Sequence, residues 1–460
     1  MSIPRRKFLQ QSVITSLGFS FLAKHTFSAA GTRKGTGAIK LVPDPKGYMD
    51  LPEGFSYKII SKAGSQMSDG LLVPGRPDGM GAFQDESGQV VLIRNHENSP
   101  VPLENSAFGL QNELLPKVNG TKLYDLGKSV KPGLGGTTTL VYDETKGEVV
   151  KEFMSLAGTY RNCAGGVTPW KSWLTCEEDV TKANGSYTWK DHGYVFEVPS
   201  SAKSLIAAEP IKAMGRFNHE AVAVDPRTGI IYQTEDRPDG LIYRFIPKKK
   251  SKLLAGGKLQ VLALKDRKSQ DTRNWETIDV KQHEKMEVEW LDIDQVESPE
   301  DDLRYRGFEQ GAARFARGEG MWMGENELFF ACTNGGPGRY GQVFKYTPSV
   351  KEGTRRERSR PGSLELFAES PGKSVLHMCD NLTIAPWGDT FICEDNGQLN
   401  RVHFINKKGE LNLFAINRSS TSEFTGGVFS LTGKTFFVNV QENGDTVAIT
   451  GPWQSLLGLP

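Results

Sequence analysis

The chain has 460 residues, with 56 Lys and Arg against 55 Asp and Glu and a formal net charge of +1. Such a balance gives no reason to expect nucleic acid or an anionic membrane surface as a partner. Five cysteines cannot all pair within one chain, so at least one thiol asks for another explanation.

The first stretch reads Pro4-Arg5-Arg6-Lys7-Phe8-Leu9-Gln10, then a modestly apolar run over 13–23, then Ser28-Ala29-Ala30. Residues 1–30 are therefore expected to be a twin-arginine signal peptide, read by the twin-arginine translocase and leading to the periplasm or the outside. The apolar run is far shorter than the roughly 20 residues of a spanning helix. No later segment resembles one, so no stable membrane anchor is expected after cleavage. That route carries folded proteins, often with a cofactor in place, which hints at a metal or another group acquired before export.

Residues 31–460 read as a single β-propeller catalytic domain. Six windows, 78–97, 163–179, 218–237, 319–334, 379–397 and 425–442, share one pattern. Each runs from a polar cluster through a short apolar strand, a turn and a second apolar strand to another polar, mostly acidic, cluster. Turn residues such as Asp225-Pro226-Arg227-Thr228-Gly229 and Trp387-Gly388-Asp389 separate the strands, and a third aromatic-rich strand often follows, as in Gly341-Gln342-Val343-Phe344. Strands arriving in such sets, with little helical periodicity, predict an all-β fold, a six-bladed β-propeller with loop insertions. The charged, poorly patterned stretch 248–306 is expected to be such an insertion.

In a propeller the equivalent ends of the innermost strands converge on one mouth of the channel. The polar clusters, Glu97, Glu177, Glu178, Glu220, Glu235, Asp236, Glu319, Asp380, Glu394 and Asp395 with Asn95, Asn218, Asn381 and Asn396, are thus expected to meet. Any one of these acids taken alone could cap a turn or pair with an arginine. Their recurrence at one phase of the repeat favours a shared site. So many carboxylates in a partly dry cavity repel one another, and cations resolve the repulsion. Oxygen donors suit calcium, and a thiolate from Cys163 points to a second, softer or redox-capable metal.

Other chemistries find little support. His96 and His219 are the histidines inside clusters, and a strand histidine bonded to backbone explains them at least as well as ligation. No His-Glu-x-x-His, phosphate loop or nucleophile elbow occurs. Cys176, Cys332 and Cys393 lie within apolar second strands, where a thiol behaves as a small hydrophobe. Cys163 and Cys379 open first strands and are candidates for chemistry or for a disulfide. Of the arginines among the acids, Arg94, Arg161, Arg216, Arg237 and Arg317, most would balance carboxylates. In Arg317-Gly318-Glu319 a guanidinium and a carboxylate share one side of an extended strand, so one can fork onto an oxyanion while the other holds a metal.

Arg94-Asn95-His96-Glu97, Asn162-Cys163-Ala164-Gly165-Gly166 with Thr175-Cys176-Glu177-Glu178, Phe217-Asn218-His219-Glu220, Thr234-Glu235-Asp236-Arg237, Arg317-Gly318-Glu319-Gly320 and Cys379-Asp380-Asn381 together resemble the PhoX-type alkaline phosphatases. The similarity runs through nearly the whole chain beyond the signal peptide. It implies a six-bladed propeller holding ferric and calcium ions (Fe3+, Ca2+) and hydrolysing small phosphate monoesters. It implies Cys163 as an iron ligand, Glu178, Glu220 and Glu319 as bridging carboxylates, Asp380 or Asp395 as a further ligand, and Arg317 as the phosphate-binding arginine. With Glu97, Glu235 and Asp236 these make the candidate metal set, and Arg317 and Glu319 the candidate catalytic pair. Two other readings stay open: a calcium-dependent propeller lactonase or phosphotriesterase, and a non-catalytic propeller stapled by metals.

Overall fold

The computed structural model describes residues 39–456 except 408, so the expected signal peptide lies outside the described residues. Among the described residues strands prevail; one eight-residue helix, Leu303–Gln310, and a few single turns interrupt them. None of the described helices is long and apolar enough to cross a membrane.

Each window forms an antiparallel pair. The first strands are Pro77–Gln84, Asn162–Val167, His219–Val224, Gly318–Met323, Cys379–Ile384 and Phe424–Phe429. Their partners are Val90–His96, Ser172–Glu177, Ile231–Glu235, Leu328–Cys332, Thr390–Glu394 and Thr435–Val440. The first strands touch one another in cyclic order, and the sixth returns to the first. They are the inner strands of a propeller-like ring, and each second and third strand lies farther out.

Hydrogen bonding gathers the strands into five sheets, of six, three, nine, four and four strands, where the sequence predicts six separate ones. The difference arises in 248–306. That stretch is not a plain insertion: it contains strands Gly257–Leu264 and Lys285–Asp292, which extend the third set outward. Lys285, Met286 and Glu287 then pair with Glu365, Leu364 and Ser363, joining the third set to the fourth. Lys285-Met286-Glu287-Val288 alternates exposed and buried, a strand period masked by its charges. The ring is latched by its ends, because Ser56–Lys62 pairs with Asp445–Thr450 of the last set. Closure of this kind leaves few free edges.

Small residues let the inner strands abut. A Cβ on Gly166 would lie 2.0 Å from the carbonyl oxygen of Val222, and one on Gly426 would lie 2.3 Å from that of Asp78. Any side chain there would push neighbouring inner strands apart. Below the mouth the axis is filled by Met80, Met321, Trp322 and Leu382, which leave a cavity of only about 20 Å³. Above that narrow space the mouth forms a cup.

Candidate metal centre

A bulge recurs at the start of every inner strand. Between one paired residue and the next, two inner residues oppose one on the second strand: Asp78-Gly79, Cys163-Ala164, Glu220-Ala221, Glu319-Gly320, Asp380-Asn381 and Gly426-Gly427. Such an extra residue leaves the ladder and re-aims its side chain. In five of the six strands the first bulge residue is an acid or the cysteine, and it turns into the cup. The result is three adjoining groups whose ligand atoms lie within 4.8 Å of one another: Asp78, Glu97 and Cys163; Cys163, Glu178 and Glu220; Glu220, Glu319 and Asp380. Cys163 and Glu220 are each shared by two groups.

Alternation along the second strands decides which of two adjacent acids faces the cup. Glu177, Glu235 and Glu394 end their strands opposite the first inner residue and point back into their own sheets. Glu177 accepts from His192 Nδ1 at 2.6 Å and from three backbone N–H groups, of Tyr160, Gly193 and Tyr194. Glu235, expected among the metal ligands, instead accepts from Leu241 N and the Tyr243 hydroxyl and lies 3.6 Å from Arg304. Glu394 accepts from Arg401 and His377 N. One residue further on, Glu97 and Glu178 enter the ligand groups. Asp236 and Asp395 follow at the same position beside them, each raising the acidity barrier of neighbouring carboxyls.

The arginines divide in the same way. Arg94 is fully buried against Glu152 and Thr138, Arg216 donates to backbone carbonyls, and Arg237 binds Asn218 and Asp301. The cup is bordered by Arg76, Arg161 and Arg317. Each directly precedes an inner strand and has a left-handed φ, of 45°, 45° and 53°, a conformation that side chains rarely hold without support from their surroundings. Arg76 binds Glu97 at 2.5 Å and also Glu442. Arg161 bridges Glu97 at 2.6 Å and Glu178 at 2.5 Å. Arg317 forks onto both oxygens of Asp236 at 2.7 Å, and its Nη2 lies 2.9 Å from Glu319.

Burial pushes the carboxyls of Asp78, Glu178, Glu220, Glu319 and Glu423 well above the ordinary range, and nearby acids add to the effect. Burial and Asp395 raise Asp380 to about 6. For Glu97 burial acts in the same sense, but Arg76 and Arg161 outweigh it and hold the group below its usual value. Burial, then Asp78 and Glu220, push the Cys163 thiol up. A cup of this kind keeps protons unless cations replace them. Glu220 is the sharpest sign, since it is buried with no hydrogen-bond donor to either oxygen. A buried carboxylate so placed fits metal ligation better than structural pairing.

Asp78 and Glu423 are absent from the acids singled out in the sequence, as is Arg76. Aligning the windows on the small residue that follows each acid would have found Asp78. Glu423 stands three residues before its bulge and carries no such signal. His96 and His219 are neutral and structural: burial lowers both, and they bond Gly75 O with Thr138, and Gly215 O, respectively. The described cysteines are all free and buried. Cys379 is turned toward the carbonyls of Cys332 and Gln342, so no bridge joins it to Cys163.

The family model Alkaline phosphatase PhoX matches residues 36–444. Among curated proteins none matches the chain. Similar solved structures include a gluconolactonase of Xanthomonas campestris, 14% identical with a TM-score of 0.42 over 91% of this chain and 99% of that one. A luciferin-regenerating enzyme is 11% identical with a TM-score of 0.41, over 86% and 96% of the two chains. A carbohydrate-active enzyme of family AA12 from Trichoderma reesei is 9% identical with a TM-score of 0.32, over 91% and 100%.

Proposed function

Because the chain belongs to the alkaline phosphatase PhoX family, we propose that it hydrolyses phosphate monoesters at a centre of calcium and iron ions held in the cup. The observation that carries this reading is the run of three adjoining ligand groups sharing Cys163 and Glu220. Their oxygens suit calcium, and the single thiolate among them suits iron. We assign the ions to Asp78, Glu97, Cys163, Glu178, Glu220, Glu319 and Asp380, with Asp236, Asp395 and Glu423 bordering them. Ions bound there would neutralise an incoming dianion and lower the pKa of water.

The chain's own residues do the positioning. Arg317, clamped by Asp236 and Glu319, is held ready at the cup's edge to bind a phosphoryl oxygen through charge-assisted hydrogen bonds that strengthen as charge shifts. Glu319 links that guanidinium to the ligand set. Met80, Met321, Trp322 and Leu382 narrow the space deeper in the ring to about 20 Å³, too small for a substrate to pass. In this reading the ring counts as six blades, the third and fourth fused along their outer edges. Export by the twin-arginine translocase belongs to the same reading and rests on Arg5 and Arg6 with the apolar run and the Ser28-Ala29-Ala30 site that follow them.

The test is metal analysis and turnover of the purified exported protein. Iron together with calcium is expected, with monoester hydrolysis that calcium chelation stops and added calcium restores. Calcium alone with hydrolysis of a lactone, or metal without any turnover, would overturn the reading.

A further inference from the structure

The acid ring is interrupted at two sets, the sixth, where strand Thr435–Val440 is followed by Gln441, and the fourth. Where other sets follow the second strand with Glu97, Glu178, Asp236 or Asp395, strand Leu328–Cys332 is followed by Thr333 and Asn334. A loop, 333–341, occupies that quadrant, and backbone hydrogen bonds tie it to the cup on both sides. Thr333 N donates to Arg317 O at 3.0 Å, Met378 N donates to Tyr340 O at 2.7 Å, and Asp395 N donates to Met378 O at 3.0 Å.

This loop carries Arg339 at a φ of 56°, with its guanidinium 4.3 Å from the ring of Trp275. Trp275 is itself fixed, since its Nε1 donates to Asn334 O at 2.7 Å and Arg273 lies 4.1 Å from its ring. Arg273 is committed to Asp271, which Arg314 shares. Gln342 and Asn274 both donate to Glu369 behind the loop. Arg339 differs from all of these. It is exposed, and among the described residues no carboxylate pairs with it, whereas Arg76, Arg161 and Arg317 each hold two.

We propose that Arg339, stacked on Trp275, forms a leaving-group subsite beside the cup for phosphate monoesters whose alcohol part bears a second oxyanion, a carboxylate or a further phosphate. This rests on the phosphomonoesterase reading above. The guanidinium offers parallel donors that match either oxyanion. The indole face fixes its plane, so little freedom is lost when the anion arrives. The gap in the acid ring removes the carboxylate that would repel such a group.

The metal-loaded protein tests this with glycerol phosphate, whose alcohol is neutral, phosphoglycerate, which adds a carboxylate, and propanediol bisphosphate, which adds a phosphate. Arg339→Ala should lower kcat/KM about tenfold or more for one or both charged substrates, the size of a lost charge-assisted hydrogen bond, and leave glycerol phosphate nearly unchanged. Which charged substrate falls further identifies the oxyanion. Arg339→Lys should recover part, and Trp275→Leu should act in the same direction by less. Equal loss on all three substrates, or none, overturns the subsite. If the wild type turns over none of them, the phosphatase reading fails by itself, and calorimetry with propanediol bisphosphate judges the subsite. Binding that Arg339→Ala weakens supports it; binding that the variant leaves intact, or no binding, overturns it.

Discussion

Glu177 and Glu178 are neighbours in the chain, are both buried, and live in different electrostatic worlds. Glu177 looks into its sheet and meets a histidine and three backbone N–H groups, so the protein satisfies it completely. Glu178 looks into the cup, where Arg161 offsets part of its charge and Asp236 and Glu97 oppose it. Glu394 against Asp395 repeats the contrast: Arg401 and His377 N serve the first, and burial raises the second. Burial alone thus says little about the role of an acid. What distinguishes a structural carboxylate from a candidate ligand is the direction it faces, into its own sheet or into the cup among other acids.

The strongest way to test that contrast is Glu220→Gln, which removes the carboxylate shared by two ligand groups. Turnover should fall to background, beyond the 10–100-fold typical of losing a partner that only orients a ligand. Metal content should fall with it, while the metal-free protein keeps or gains thermal stability as repulsion in the cup is relieved. A variant that retains its metals would end the assignment of Glu220.

Arg317→Ala should cost on the order of 10²-fold in monoester turnover, the usual effect of losing one transition-state donor. Its metal content is the discriminating measurement. Metals near the wild-type level with slow turnover support a substrate role, whereas metal loss makes Arg317 chiefly the clamp on Asp236 and Glu319.

Glu177→Gln should act in the opposite sense, destabilising the fold by about 3 kcal/mol because it breaks a buried ion pair with His192. Denaturant unfolding of the metal-free protein reads this directly. If the main effect is instead lost metal with stability unchanged, the division between sheet-facing and cup-facing acids is wrong.

The smallest effect, about 1–2 kcal/mol, concerns His192 and depends on pH. Burial lowers its pKa, but Glu177 and Asp125 outweigh burial and raise it to about 9. A raised histidine contributes stability that is fully present below its unfolded value near 6.5 and is lost as pH rises through about 9. The difference in Tm between wild type and His192→Gln should therefore be largest at about pH 6 and shrink toward pH 9. A difference that grows with pH would show that His192 is held neutral.

Much of this was legible from residues alone. The recurring hairpins and the acids at one phase of each repeat pointed to an all-β ring with a charged mouth, because strand period and turn chemistry are local properties. The block around Cys163 marked the family for the same reason. The phase of alternation was not legible. Whether Glu177 or Glu178 faces the cup depends on the bulge that starts each inner strand and on where the ring axis lies, and neither is encoded within one hairpin. Glu423 joined the site only when ring closure brought the first and last sets together, as the hydrogen bonds from Gln441 to Asp78 and Glu97 record. The strands hidden in 248–306 escaped notice because their exposed positions are charged and only packing against neighbouring strands reveals the buried ones. Sequence by itself thus determined the elements and the chemistry available to the site, while the direction of each side chain was decided by the closed tertiary ring, since a shift of one residue along a strand reverses the face it presents.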